Sequence, residues 1–258
     1  MQPTAIYLLQ LKHVYRNYGG IKAISDVSFN IAGAGITGLI GPNGAGKTTL
    51  FNVIAGSVSP SAGEIFFEGK QISGKGPDAI ARSGLVRSFQ SPMLLPGLTV
   101  REHIYQAATL PFLGSPLQLL TNKLKHRQVE IAAHVDRVIA FSGLQAEADH
   151  IAESMAYGLQ KILGIAMALA ARPKLLLADE PAAGLNGAET IRMSNMLKAI
   201  NTEWKIPIIV IEHDMGLVMR LCHRIIVLSQ GALIADGAPD VVKKMPAFIE
   251  AYLGAEVA

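Results

Sequence analysis

The chain has 258 residues, enough for one large α/β domain or for a core with an inserted subdomain. Half of its residues are hydrophobic and the mean hydropathy is +0.33, yet no run of about 18 apolar residues occurs, which excludes a membrane-spanning helix. The net charge of +3 comes from dispersed Lys and Arg, with Lys123, Lys125 and Arg127 the densest group, and this speaks against a nucleic-acid-binding stripe. Residues 1–9 lack a charged start followed by a long apolar stretch, so no export signal is expected. Cys222 is the single cysteine and cannot close an internal disulfide, which fits a reducing cytoplasm and a small core residue. So apolar a composition fits either a large core or a surface buried against a partner.

Residues 6–16 and 24–31 alternate apolar with polar, as half-exposed strands do, and Tyr18-Gly19-Gly20 reads as the turn between them. Ile36 to Ile40 is short, apolar and β-branched, the pattern of a buried strand. It runs into a glycine-rich turn in which Gly41, Gly46, Lys47 and Thr48 match the spacing G-x-x-x-x-G-K-[ST], and a helix is expected from Thr48 to near Gly56. Each residue type has a physical task there. Glycines let the backbone curl so that successive N–H groups face phosphate oxygens, and the helix start adds its positive dipole end. Lys47 is placed to reach the β- and γ-phosphates, and the Thr48 hydroxyl to hold Mg²⁺. The stretch predicts a nucleoside triphosphate site.

Gly63 to Gln71 reads as a strand and turn, Pro77 to Ser83 as a short helix, and Leu85 to Phe89 as a strand leading to Gln90. The first third is therefore strand-rich and expected to be antiparallel around the phosphate loop. From Thr99 to about Ser142 the pattern turns helical, broken at Pro111 to Pro116, with Val129, Ala132, Ala133, Val135, Val138 and Ile139 expected on one helix face. Residues 92–172 read as a helical subdomain inserted into the α/β core. Alternation then resumes: a strand at Leu175 to Ala178, a helix at Gly187 to Trp204, a strand at Pro207 to Ile211, and a helix at Met215 to Cys222. A hairpin across Gln230-Gly231 and short helices from Pro239 to Leu253 close the chain.

Leu175 to Glu180 is an apolar strand that delivers two acids at its C-terminal edge, where ligands sit in such sheets. Asp179 suits Mg²⁺, directly or through a water, and Glu180 suits a general base toward the attacking water. His213 also follows a strand and can donate a hydrogen bond to a γ-phosphate. The other six histidines read as surface or capping residues.

The order of these motifs resembles the nucleotide-binding subunit of an ABC transporter, over nearly the whole chain. Gly41 to Thr49 is similar to the Walker A loop and Leu175 to Glu180 to Walker B. The resemblance implies ATP contacts from Gly41, Asn43, Gly44, Ala45, Gly46, Lys47, Thr48 and Thr49, with Tyr18 stacking on adenine. Gln90 resembles the glutamine that touches Mg²⁺ or the attacking water and couples the site to membrane subunits. His213 falls on the switch histidine, and Ala183 to Asn186 on the D-loop, with Asn186 where the wider family has Asp. Met155 to Lys161 stands in the place of the Leu-Ser-Gly-Gly-Gln signature, so Ala156 and Gly158 are expected against a partner's ATP. Ala156 lacks a serine hydroxyl, Leu159 replaces the glutamine, and Gly164 weakens the following helix by about 1 kcal/mol relative to Ala.

Ala156-Tyr157-Gly158, the Glu180 to Asn186 run, Ile211 to Met215 and the ending Ile249 to Gly254 are similar to the branch that imports branched-chain amino acids, with relatives that take up amides or urea. That branch pairs two different ATPase subunits, and this chain looks like the larger type. The implied fold is an α/β P-loop NTPase core (RecA-like, mostly parallel sheet) with an N-terminal antiparallel β-subdomain and an inserted helical subdomain. Residues 1–91 and 173–258 make the core, and 92–172 carry the signature. The expected cofactors are ATP and Mg²⁺. A second ATPase subunit (identical or different), transmembrane permease subunits and, indirectly, a solute-binding protein are the expected partners, at the cytoplasmic face of the membrane. An ATPase for another solute or for lipid, or a non-transport ABC ATPase, is the alternative; the latter class usually carries coiled-coil inserts or two cassettes, and neither is present.

Overall fold

The computed structural model describes residues 7–112 and 123–253. The start of the chain, most of the Pro111 to Pro116 break and Gly254 lie outside the described residues, as do the side chains of Lys123 and Lys125. Strands β1 (Leu9–Tyr18) and β2 (Ile21–Ile31) form a hairpin over Gly19-Gly20, and β3 (Ile36–Ile40) leads through the glycine-rich turn into α1 (Lys47–Ile54). Then β4 (Ala62–Phe67) pairs antiparallel with β1 and with β5 (Lys70–Gln71), giving a four-stranded sheet in the order β2-β1-β4-β5. Helix α2 (Pro77–Ser83) and strand β6 (Leu85–Ser88) follow.

The middle of the chain is helical: α3 (Val100–Thr109), α4 (Lys123–Ser142) and α5 (Tyr157–Ala170). A capping box starts α3, Thr99 accepting from the Glu102 amide while Glu102 accepts from Thr99, which satisfies two otherwise orphaned donors. The α4 face that is buried consists of Ile131, Val135, Val138 and Ile139. Val129, Ala132 and Ala133, expected on that face, are exposed instead. Counting from Ile131 the spacing is i, i+4, i+7, whereas Val129 lies about 200° away around the helix. His103 also departs from expectation: it is buried, its Nε2 accepting from the Leu95 amide at 2.8 Å and its Nδ1 lying 2.8 Å from the Thr99 carbonyl.

The remaining elements are β7 (Leu175–Asp179), α6 (Gly187–Glu203), β8 (Ile208–Ile211), α7 (Met215–Leu221), β9 (Arg224–Ser229), β10 (Ala232–Gly237), α8 (Pro239–Val242) and α9 (Pro246–Leu253). They complete a six-stranded sheet in the order β10-β9-β3-β8-β7-β6, parallel except for the β9–β10 hairpin. Parallel strands buried on both faces read as continuous apolar runs, as in Ile208–Ile211. Their side chains still alternate between two cores. Leu175, Leu177, Ile209 and Ile211 face the core shared with the antiparallel sheet and α1. Leu176, Ala178, Ile208 and Val210 face the other, which runs without a break into the core of α3, α4 and α5. Because the strands are parallel, the turns after β3, β6, β7 and β8 all emerge at one edge of the sheet.

Candidate functional site

The turn after β3 is shaped by two glycines that no other residue could replace. Gly41 has φ +153°, and a Cβ there would lie 2.1 Å from the Leu228 carbonyl oxygen. Gly46 has φ +99°, and its Cβ would lie 2.6 Å from the Ala23 carbonyl oxygen. The turn therefore nests against β2 and β9, with α1 directly behind. Lys47 is buried, and its Nζ donates to the Gly41 and Pro42 carbonyls at 2.7 and 2.9 Å. Burial pushes its pKa down, and the negative charge of Glu180 partly opposes this. Over the turn opens a cleft of about 670 Å³, walled by Asn43 to Thr49, Glu180, His213, Gln230 and the β2 residues Ile21 to Ala23.

The acidic side of the cleft comes from the ends of β6, β7 and β8. Asp179 is buried and paired with Arg87 at 2.5 Å, while the same guanidinium donates to Asn52 Oδ1 at 2.6 Å. Glu180 has φ +46°, the left-handed region that costs a non-glycine residue of order 1 kcal/mol and that marks functional turns when the surroundings enforce it. The surroundings do enforce it. Its amide donates to the Ile211 carbonyl at 3.0 Å, and its own carbonyl accepts from the Ala183 amide at 3.2 Å and from Lys161 Nζ at 2.7 Å. That backbone turn swings the carboxylate between Gln90 Nε2, 2.5 Å from Oε2, and His213 Nε2, 2.7 Å from Oε1. A carboxylate held this way at the mouth of a cleft can accept a proton from a water.

The stretch at Met155 to Lys161 begins α5. Its N-cap is Ala156, which supplies no side-chain bond to the first turn. A serine there would accept from an orphaned amide, so Ala156→Ser is expected to stabilise the protein by about 1 kcal/mol. Urea unfolding measures this, and an unchanged or lower midpoint would refute it. Gly158 is buried, and a Cβ on it would lie 2.3 Å from Glu189 Oε1. Glu189 is itself fixed by the capping box that it forms with Asn186 at the start of α6. Tyr157 stands against Gly184, whose Cβ position is 3.1 Å from the ring. Leu159 is half-buried and packs on the apolar core of the helices, which accounts for an apolar residue at that position. The neighbouring amide of Gln160 is turned back onto the Glu153 and Met155 carbonyls. Gly164 faces Pro92 at ordinary contact distance.

The structure thus brings Asn43 to Thr49, Glu180 and His213 onto one cleft, with Gln90 bonded to Glu180 from the side. Gly41 and Asp179 lie beneath its surface. Tyr18 is not on the cleft wall: it ends β1, the Arg16 guanidinium covers its ring at 4.3 Å, and its cross-strand neighbour Ile21 lines the cleft instead. Three residues that motif reading passed over hold the site together. Lys161 is buried and donates to the carbonyls of Gln90 and Glu180 at 2.6 and 2.7 Å; Arg87 holds Asp179; and Glu212, buried, accepts from the Ala182 amide at 2.7 Å. Burial lowers the Lys161 pKa and raises that of Glu212, and each charge offsets the shift of the other. A signal for each was present in the sequence: Lys161 and Arg87 are charges inside apolar elements, and Glu212 directly follows an apolar strand.

The family model for the ABC transporter matches residues 24–183. The chain is 36% identical over 252 residues, 96% of its length, to the high-affinity branched-chain amino acid transport ATP-binding protein BraF of Pseudomonas aeruginosa, covering 98% of that protein. The same figures hold for LivG, with the same description, of Escherichia coli K12. Among solved structures it is similar to an ATP-binding cassette of an ABC transporter in its ADP conformation, with TM-score 0.83, 29% identity and coverage of 96% and 99% of the two chains. A dimeric bacterial ABC transporter cassette matches with TM-score 0.75 and 25% identity, over 90% and 98% of the chains.

Proposed function

Because the chain belongs to the ABC transporter family, we propose that it is the ATP-hydrolysing subunit of an importer for branched-chain or related amino acids. The observation that carries the ATPase reading is the convergence of Lys47, Glu180, His213 and Gln90 at one sheet edge, around the cleft over the glycine-rich turn. Lys47 and the loop from Gly41 to Thr49 hold the phosphates. Glu180 takes the proton of the attacking water, and Gln90 and His213 orient its carboxylate. Adenine lies on the β2 side, where Ile21 forms the wall beside Tyr18. The end-to-end likeness to branched-chain amino acid transport proteins supports the solute class.

Mg²⁺ fits the donors on that edge. The Thr48 hydroxyl, on the cleft wall, and the Asp179 carboxylate, which Arg87 holds just beneath it, are hard oxygens. Few protein ligands completed by water and phosphate oxygens are what Mg²⁺ takes. When bound, it supplies charge neutralisation on the phosphates.

Residues 92–172 act as the unit that presents Ala156 and Gly158 to the ATP of a second ATPase subunit, identical or different, while the remainder forms the nucleotide core. No helix among the described residues is long and apolar enough to cross a membrane. The likeness to transport ATP-binding proteins supports permease subunits that span the bilayer, with the ATPase at its cytoplasmic face. A solute-binding protein delivers the amino acid to them. The test is affinity purification from membranes combined with uptake of labelled leucine in a strain lacking the chain. Recovery with permease subunits and restored leucine uptake are expected. Recovery with ribosomes or nucleic acid would refute the transport role, and restored uptake of an amide or urea alone would refute the solute class.

A further inference from the structure

Lys161 is one turn into α5 and almost wholly buried, at 3% exposure, yet its ammonium bonds to no carboxylate. It donates instead to two main-chain carbonyls, that of Gln90 after β6 and that of Glu180 after β7. Burying a charge is costly unless its surroundings solvate it, and a lysine in an apolar helix could be replaced at less cost by Met or Leu. What Lys161 provides that those cannot is a fixed connection between three segments far apart in sequence.

The Glu180 carbonyl is where such a connection has leverage. Glu180 holds a strained left-handed backbone, and that backbone sets the direction of its carboxylate. Of the two donors on its carbonyl, Ala183 belongs to the same turn, so Lys161 is the one that ties it to another element. The opposite side of the same turn is tied down by Glu212, through the Ala182 amide. Meanwhile α5 starts at Ala156 and Gly158, three to five residues before Lys161, with Tyr157 seated on Gly184.

We propose that Lys161 is a positioning residue that ties the signature end of α5 to the backbone of Glu180 and Gln90, so that a displacement of α5 re-aims the carboxylate. Docking of α5 on a second subunit thereby sets the base as well as contacting ATP. This rests on the reading of Glu180 as the base.

The experiment compares wild type, Lys161→Met, Lys161→Arg and Glu180→Gln for steady-state ATP hydrolysis, ATP affinity and melting temperature. Misplacing a catalytic group by about 1 Å can cost on the order of 100-fold, so Lys161→Met is expected to lower kcat by roughly 10- to 100-fold. ATP affinity is expected to stay within about threefold, because the loop at Gly41 to Thr49 is untouched. Lys161→Arg, whose fork can serve two carbonyls, is expected to recover most of the turnover. Wild-type kcat in Lys161→Met would overturn the proposal. So would an equal loss of kcat, ATP affinity and melting temperature that Lys161→Arg does not rescue. Unimpaired hydrolysis in Glu180→Gln would instead refute the base, a result read independently of either Lys161 variant.

Discussion

Changing Glu180 to Gln is expected to stop ATP turnover while ATP binding persists. A general base contributes roughly 10²- to 10⁴-fold, and the amide that replaces the carboxylate cannot accept a proton from water. The substitution is close to isosteric, so the strained backbone at φ +46° and its three main-chain bonds are kept. The side-chain contacts change more. The carboxylate now accepts from Gln90 on one oxygen and lies 2.7 Å from His213 Nε2 on the other. Glutamine presents one acceptor and one donor, so one of these contacts has to turn. The readouts are phosphate release, which falls at least 100-fold, and retention of ATP on the protein, which does not. With hydrolysis blocked, the ATP-bound pair of subunits is expected to accumulate on gel filtration. Turnover within tenfold of wild type would show that another group activates the water.

Changing Lys47 to Ala is expected to remove activity by the other route, through loss of binding. A charge-assisted hydrogen bond contributes about 1.5–3 kcal/mol, and a lysine that faces two phosphates makes more than one. The expected loss of ATP affinity is therefore at least about 10- to 100-fold, and transport and hydrolysis fall with it. The buried position makes this site sensitive in a second way. Lys47 Nζ satisfies the Gly41 and Pro42 carbonyls, so its removal also frees the loop that it now clamps. Isothermal titration with ATP measures the effect. Unchanged affinity in Lys47→Ala would sink the assignment of the phosphate loop.

These two outcomes separate the halves of the site, and the remaining structure explains why they meet. Glu180 and Lys47 follow different strands, β7 and β3, that are not neighbours in the sheet; β8 lies between them. His213, at the end of β8, occupies the middle and touches the carboxylate. A one-strand change in order would break the cleft without altering a single motif.

The local parts were legible from residue pattern. The run Ile36 to Ile40, the glycines at 41 and 46 and the helix that starts at Lys47 are short-range features, set by sterics within a few residues. Walker-type motifs are readable for the same reason: phosphate and metal chemistry demand particular side chains at particular spacings. The sheet alternation, the terminal hairpin and the α/β class followed from periodicity, and the likeness in motif order added the assembly. Periodicity reached its limit in α4. There Val129, Ala132 and Ala133 are as apolar as their neighbours, and only the partners α3 and α5 decide that the Ile131 face is the inner one.

What tertiary structure alone decided is how the site is held. Lys161 reaches carbonyls 71 and 19 residues away, and Arg87 reaches Asp179 across 92. A main-chain carbonyl carries no side-chain signature, so no spacing could reveal it as a partner for a buried ammonium. The surroundings of Tyr18 were also set by folding: Arg16 lies over its ring at 4.3 Å, and its cross-strand neighbour Ile21 lines the cleft. The sequence by itself determined the phosphate-loop pattern and the order of motifs that place this chain among the ABC ATPases. Folding decided what holds the Glu180 carboxylate and its backbone in place, because that depends on contacts between segments that only the assembled sheet brings within reach.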